Sequence, residues 1–167
     1  MVKKKICIVG AYGAGKTSLV RRFVESLFDE RYHTTVGVKI DKKVVAVNGK
    51  SMAMMIWDLA GGDETELPRL SHLRDASGYI LVVDGCRMWT VERARVIQEK
   101  IVEDCGIDIP FVVAVNKSDL REHWTFQDTA LPPCDPSNVF YTSAKTGDLV
   151  EQMFATLAFR MLEPLPD

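Results

Sequence analysis

The sequence predicts an α/β fold: a doubly wound, mostly parallel six-stranded sheet with helices on both faces and one antiparallel edge strand. Two observations predict it. Continuous apolar runs alternate with segments of helical periodicity, as in parallel sheets that are buried on both faces. An Asn-Gly pair also joins two further strand-like runs, which is typical of a hairpin. At 167 residues, the chain is expected to form one domain over residues 1–167.

The strands are placed by apolar runs and by turn residues. Buried strands are predicted at the runs bounded by Gly, Asp or Asn, which are residues 6–9, 79–83 and 111–115. The hairpin joins residues 38–47 to residues 52–57 through Asn48-Gly49. Its first arm is rich in lysine, which suits an exposed edge strand. A further short strand is predicted at residues 139–142.

The helices are placed by apolar residues at helical spacing. The first predicted helix carries the stripe Leu19, Val20, Phe23, Val24 and Leu27. The second carries a weaker stripe of Val91, Ala94, Ile97 and Ile101. The last helix is expected to start at Asp148, with Glu151 at capping-box spacing, and to end before Pro164. A helix is also expected between the hairpin and the 79–83 strand, and prolines limit residues 121–138 to a short helix around 125–130.

Composition excludes several classes of protein. Lys plus Arg total 21 and Asp plus Glu total 23, so the net charge of −2 gives no drive toward nucleic acid or an anionic membrane. An apolar content of 47% excludes a disordered chain, and no apolar run approaches the ~18 residues of a membrane span. The short apolar run before Gly10 is no signal peptide, so the cytoplasm is the expected location. The four cysteines of the chain include no CxxC pair, so we expect reduced thiols rather than a zinc site.

A phosphate-binding loop follows the first strand. Residues 10–17, Gly-Ala-Tyr-Gly-Ala-Gly-Lys-Thr, fit the P-loop pattern GxxxxGK[ST] between a predicted strand and a predicted helix. Glycines allow the backbone N–H groups to point inward at phosphate oxygens, and the helix N-terminus adds partial positive charge. Lys16 supplies a charge for the outer phosphates and Thr17 a hydroxyl for Mg²⁺. The residues expected to bind the phosphates are Gly13, Ala14, Gly15, Lys16, Thr17 and Ser18.

A second motif selects the base. Asn116-Lys117-Ser118-Asp119 follows the strand 111–115, and the Asp119 carboxylate can accept hydrogen bonds from N1–H and the 2-amino group of guanine. Adenine offers no such donor pair. The Lys117 stem can lie over the base, and the backbone of Ser143-Ala144-Lys145 is placed to reach it.

Two further segments point to a metal ion and the terminal phosphate. Asp58-Leu59-Ala60-Gly61 ends the hairpin, where Asp58 is placed to hold Mg²⁺ and Gly61 to bring an N–H near a terminal phosphate. Thr34 and Thr35 precede the edge strand, and the residues alone leave open which hydroxyl reaches the metal.

Together, in this order, these motifs resemble the small GTPases of the Ras superfamily over essentially the whole chain. The stretches 32–38 and 57–61 are most similar to the Rab branch. The resemblance implies that Thr35 is the switch I threonine that ligates Mg²⁺, and that Phe28 lies against the guanine. It implies GTP or GDP as the bound nucleotide and Mg²⁺ as cofactor. It also implies partners that read switch I and switch II: effectors, an exchange factor and an activating protein.

The chain departs from that family at three places. Gly62 stands where the family usually has the Gln that orients the attacking water, which predicts slow hydrolysis unless Asp63, Glu64 or Arg31 substitutes. Tyr12 is bulky where the family often has a small residue, and its ring either covers the γ-phosphate or lies outward. The final residues carry no CaaX cysteine, so either a tail was removed or membrane attachment by a lipid is not used.

The resulting prediction is a GTP/GDP-binding molecular switch with weak GTPase activity, in which Lys16, Thr35 and Gly61 act on the γ-phosphate. A nucleotide-locked scaffold with negligible hydrolysis is the alternative that Gly62 favours. A P-loop ATPase or small-molecule kinase is a second alternative, and residues 116–119 argue against it. Trp89 and Trp124 are either partner contacts or packing residues.

Overall fold

The computed structural model describes residues 1–25, 37–59, 67–106 and 109–162. Six strands form one sheet in the order β2-β3-β1-β4-β5-β6. Their bounds are β1 Val2–Gly10, β2 Val38–Val47, β3 Lys50–Leu59, β4 Gly78–Asp84, β5 Phe111–Asn116 and β6 Val139–Thr142. Among the described strands, the edge strand β2 runs antiparallel to its neighbour and the other neighbouring pairs are parallel. This confirms the predicted fold class.

Helices cover both faces of the sheet. They are α1 Lys16–Glu25, α2 Met88–Cys105 and α3 Val150–Leu162. Along β1 the buried side chains alternate: Ile6 and Ile8 join the cluster that contains α1 and α3, whereas Cys7 and Val9 join the cluster that contains α2. Both faces of the central strands are therefore buried, and this is why these strands read as unbroken apolar runs.

The two layers are held by the predicted helix stripes. On one face, the rings of Phe23 in α1 and Phe154 in α3 stack in parallel with their centroids 3.8 Å apart. On the other face, the four apolar residues predicted for the second helix are fully buried. Of the α1 stripe, Leu27 lies outside the described residues.

The hairpin turn forms as predicted. Val47 pairs with Lys50, which leaves Asn48 and Gly49 as a two-residue turn. Both residues have positive φ, 51° and 74°, as a type I′ turn requires. Asn and Gly are the residues that adopt this conformation at least cost, so the local sequence sets the register of the edge strand.

Two predicted helices differ in the structure, and the region of a third lies partly outside the described residues. Between β3 and β4, the described residues contain only a 3₁₀ helix, Leu70–Leu73, and residues 60–66 lie outside them. The region 121–138 holds 3₁₀ helices rather than one short α-helix: Ser118–His123, Asp128–Ala130 and Pro136–Asn138. The expected start of the last helix at Asp148 was wrong: α3 begins at Val150 because Leu149 has a left-handed φ of 56°.

The order of the strands positions the site. The chain leaves β1 toward the β2–β3 side of the sheet and later crosses back to β4 on the other side of β1. In open α/β sheets, ligands bind beyond the carboxyl ends of the strands at such a reversal. The carboxyl end of β1 leads directly into residues 10–17.

Candidate nucleotide-binding site

The phosphate loop is a tight turn between β1 and α1. Gly13 and Gly15 have φ values of 77° and 98°, a region that other residues rarely adopt. Ala14 N donates to the Ala11 carbonyl at 3.2 Å and closes the turn. Gly10 lies so close to the Val82 carbonyl of β4 that any Cβ would collide with it. The glycines of the motif are therefore required by backbone conformation and by space.

Lys16 is the first residue of α1 and turns back over this loop. Its Nζ donates to the Ala11 carbonyl at 3.2 Å, and the residue is only 6% exposed. Burial lowers the pKa of Lys16 to about 8, and the nearby charge of Asp58 opposes the shift. A phosphate bound in the loop would stabilise the charged ammonium, so ligand binding and protonation of Lys16 favour each other.

Thr17 and Asp58 are in contact beside the phosphate loop. Thr17 Oγ1 donates to Asp58 Oδ2 at 2.6 Å, and Asp58 is fully buried at the end of β3. Hydroxyl and carboxylate oxygens are hard ligands that fit Mg²⁺, which proteins usually bind through one or two carboxylates together with substrate phosphates. Among the described residues there is no cluster of three or more His, Cys, Asp or Glu side chains arranged to hold a metal without such a substrate.

Asn116 joins residues 116–119, the loop predicted to select the base, to the phosphate loop. Its Nδ2 donates to the Ala14 carbonyl at 3.1 Å, and its Oδ1 accepts from Thr142 Oγ1 at 3.2 Å. The amide also lies against Gly15, where a Cβ would collide with it. Both ends of this buried side chain therefore contact protein, and its position joins the two loops.

Asp119 is exposed and is oriented by a buried neighbour. Ser143 Oγ donates to Asp119 Oδ1 at 2.7 Å and accepts from Thr146 N at 3.1 Å. The sequence indicated a backbone role for Ser143 and missed this hydroxyl contact. Ala144 is buried and Lys145 is exposed beside it.

Asp84 is a site residue that the sequence analysis missed. It ends β4, is fully buried and lies 2.8 Å from Lys117 Nζ and 3.2 Å from Arg87 Nε. Its other oxygen accepts from Cys86 N at 2.8 Å. The available signal was its position, because an Asp that ends a buried strand lies at the ligand-binding edge of the sheet.

Several predicted residues lie outside the described part of the chain. These are Phe28, Arg31, Thr34, Thr35, Gly61, Gly62, Asp63 and Glu64. Of the others, Ser18 is half-buried in α1, and Tyr12 is 39% exposed. The structure thus brings residues 13–18, Asp58, residues 116–119 and residues 143–145 to the same end of the sheet.

None of the helices in the described residues combines the length and apolar character needed to cross a membrane.

Comparison with known proteins places the chain in a family. The model of the Ras family matches residues 5–163. The human Ras-related protein Rab-30 is 34% identical over 95% of this chain and 79% of its own length. The yeast (Saccharomyces cerevisiae) Ras-related protein SEC4 is 30% identical over 92% of this chain and 73% of its own length. The small monomeric GTPase RhbA of Aspergillus fumigatus is 38% identical over 71% of this chain, and the match spans 64% of RhbA, less than two thirds. The chain belongs to the Ras family and is a Rab-like small GTPase.

Proposed function

We propose that residues 1–167 act as one GTP/GDP-binding switch domain whose intrinsic hydrolysis of GTP is slow. The observation that carries this proposal is the Asn116 amide, which links the base-selecting loop to the phosphate loop through the Ala14 carbonyl. A site for a nucleoside phosphate needs both ends at a fixed separation. The link is buried, so water does not compete for the hydrogen bond that sets this separation.

Asp119 is the residue that would select guanine. Since Ser143 donates to one of its oxygens, the carboxylate has a preferred direction, and Asp119 is exposed to solvent. Guanine supplies two adjacent donors to such a carboxylate, whereas adenine leaves it without them, and an unmatched charged acceptor disfavours binding. An adenine nucleotide would leave Asp119 unmatched, which disfavours the ATPase or kinase alternative.

Binding of the phosphates falls to residues 13–18. The backbone amides of the loop and the α1 N-terminus would stabilise negative charge, and Lys16 adds a full positive charge. Thr17 and Asp58 would hold Mg²⁺, with Thr35 as a further proposed ligand. When bound, the cation neutralises charge on the outer phosphate oxygens. Lys16, Thr35 and Gly61 are the residues proposed to stabilise the charge that develops during hydrolysis.

Slow hydrolysis is proposed because Gly62 has no side chain with which to orient water. In phosphoryl transfer, positioning and charge stabilisation supply nearly all of the catalysis. Single-turnover GTP hydrolysis by the wild type and by Gly62→Gln tests this directly. A clear increase in rate for Gly62→Gln supports the proposal, and an equal rate contradicts it.

Asp63, Glu64 and Arg31 are the candidates to replace the missing Gln in cis, and each is tested by its alanine variant in the same assay. A variant that loses activity identifies the substitute. Equal rates for all three show that none of them contributes, and the nucleotide-locked scaffold then gains support if purified protein retains GTP for hours.

Switching would depend on two segments that become ordered when GTP is bound. Contacts of Thr35 and Gly61 with the γ-phosphate would order two segments, approximately residues 29–38 and 59–74, and hydrolysis would release them. Effectors, an exchange factor and an activating protein would recognise the difference between the two states. The experiment that tests the proposal is identification of the nucleotide that co-purifies with the protein: GDP or GTP supports it, and an adenine nucleotide overturns it.

A further inference from the structure

Trp124 lies directly behind the base-selecting loop, residues 116–119. Its indole covers the backbone of Gly85, and a Cβ at Gly85 would collide with the ring atoms. The backbone of Gly85 lies outside the left-handed region, so glycine is required here for space rather than for conformation. The tryptophan and the glycine are therefore complementary in shape.

Hydrogen bonds join this pair to the loop. Trp124 Nε1 donates to the Lys117 carbonyl at 2.8 Å. Gly85 N donates to the Asn116 carbonyl at 3.1 Å, and Thr125 N donates to the Gly85 carbonyl at 3.1 Å. Two consecutive residues of the loop are thus held by the Gly85–Trp124 pair.

Lys117 is the strained residue that these contacts hold. It is left-handed, with φ 72° and ψ 40°, a conformation that is unfavourable for a residue other than glycine. Its carbonyl also accepts from Leu120 N at 2.9 Å, and its ammonium lies 2.8 Å from Asp84. Such a conformation persists only where its surroundings impose it.

The indole is itself fixed by aromatic neighbours. Phe126 meets it edge-on with ring centroids 5.9 Å apart, and Tyr141 lies 6.0 Å away. The Arg121 guanidinium lies 5.0 Å from the indole and 5.1 Å from the Tyr141 ring. Of the two interpretations left open for Trp124, the structure supports packing.

We infer that Trp124, seated on Gly85, is a positioning residue that sets the base selectivity of the site. The inference rests on the proposed function, in which Asp119 recognises guanine. Asp119 lies two residues beyond Lys117, so the direction of its carboxylate depends on the Lys117 turn. When the indole is lost, this turn relaxes and the carboxylate no longer meets both donors of the base.

The test compares GDP with inosine diphosphate, which lacks the 2-amino group. Dissociation constants of both are measured for the wild type, Trp124→Phe and Trp124→Ala. We expect the wild type to prefer GDP by about tenfold or more, because a hydrogen bond to a charged group is at stake. This preference falls to about threefold or less in Trp124→Ala. Trp124→Phe keeps an apolar ring without the N–H donor, and its ratio is intermediate.

Trp89 provides the matched control, because it is a half-buried tryptophan in α2 that makes none of these contacts with the loop. Trp89→Phe is expected to keep the wild-type ratio. Variants of Trp124 that weaken both nucleotides equally have lost stability rather than selectivity, and that result overturns the inference. If Trp124→Ala does not fold, Trp124→Phe decides the question alone.

Gly85→Ala tests the contact between Gly85 and Trp124 by changing the glycine instead of the tryptophan. Its methyl group displaces the indole, so the GDP preference is expected to fall as in Trp124→Ala. In the double variant Gly85→Ala/Trp124→Ala, the methyl group has room because the indole is absent. The preference for GDP over inosine diphosphate should then be no lower than in Trp124→Ala alone. Additive losses contradict the contact. A wild type that binds ADP as tightly as GDP overturns the proposed function and this inference together, whereas guanine selectivity that survives in every variant overturns the inference alone.

Discussion

The Thr17 hydroxyl donates a 2.6 Å hydrogen bond to the buried Asp58 carboxylate, and so joins two residues that lie 41 positions apart. Thr17 stands in the first turn of α1 and Asp58 near the end of β3. The contact brings together, beside the phosphate loop, a hydroxyl and a carboxylate oxygen, the kinds of atom that Mg²⁺ prefers as ligands. The proposed binding of Mg²⁺ depends on this pair.

Asp58→Asn removes the anionic oxygen while keeping the shape of the side chain. Mg²⁺ slows GDP release by some factor, and we expect this factor to be smaller in the variant than in the wild type by about tenfold or more. The measurement is the GDP dissociation rate with Mg²⁺ and with EDTA. Asp41→Asn, on the edge strand, is the control. If Mg²⁺ slows release equally from Asp58→Asn and the wild type, Asp58 does not hold the ion.

Lys16 makes the stability of the nucleotide-free protein depend on pH. Burial lowers its pKa to about 8 from 10.5, so the unfolded chain binds more protons between these values and stability rises with pH across that window. Below about pH 8 the full cost of burying the ammonium, on the order of 3 kcal/mol, is present. Urea unfolding of the wild type and Lys16→Met from about pH 7 to pH 10 checks this.

At neutral pH, Lys16→Met is expected to be more stable than the nucleotide-free wild type, and the difference should shrink toward pH 10. Comparison with the variant cancels the other groups that titrate in this range. Parallel stability curves would show that the ammonium is not buried at a cost. The variant should also bind GDP at least about tenfold more weakly, because the phosphates lose a charged partner.

Asp119→Asn changes which base is preferred. The amide donates where the carboxylate accepted, so GDP should bind about tenfold or more weakly. Xanthosine diphosphate, which has a carbonyl group at position 2, should bind better to the variant than to the wild type. Competition binding measures both, with the exposed Asp75→Asn as control. An unchanged preference for GDP would place the base elsewhere.

Phe154→Ala tests the packing of α1 against α3. Loss of the ring that stacks on Phe23 leaves a cavity in a fully buried layer, and the free energy of unfolding should fall by about 3–5 kcal/mol. Phe159→Ala on the same helix is the control, because this side chain is 43% exposed and its loss should cost about 1 kcal/mol or less. Equal losses in the two variants would contradict the assigned core.

Local sequence was sufficient for much of the fold. The Asn48-Gly49 pair predicted its own turn because few other residues tolerate two consecutive positive φ values. The phosphate loop was predictable for the same reason, since its glycines are required by the backbone. Where a residue's own conformational preference decides the structure, spacing and residue type are informative.

Contacts between distant segments were not predictable in this way. The Asp84–Lys117 ion pair and the Gly85–Trp124 contact depend on which strands become neighbours, and no periodicity reports this. The expected helix start at Asp148 failed for a related reason. The Asp148 carbonyl accepts from Ser143 N at 3.2 Å within the turn after β6, and the helix begins beyond Leu149.

The central claim is that the site binds a guanine nucleotide, and competition binding of GDP against ADP to the purified protein tests it most directly. Ser143 orients the Asp119 carboxylate, and Asn116 joins this loop to the phosphate loop. We therefore expect GDP to bind at least about a hundredfold more tightly than ADP. Equal affinities for the two nucleotides, or tighter binding of ADP, would contradict it.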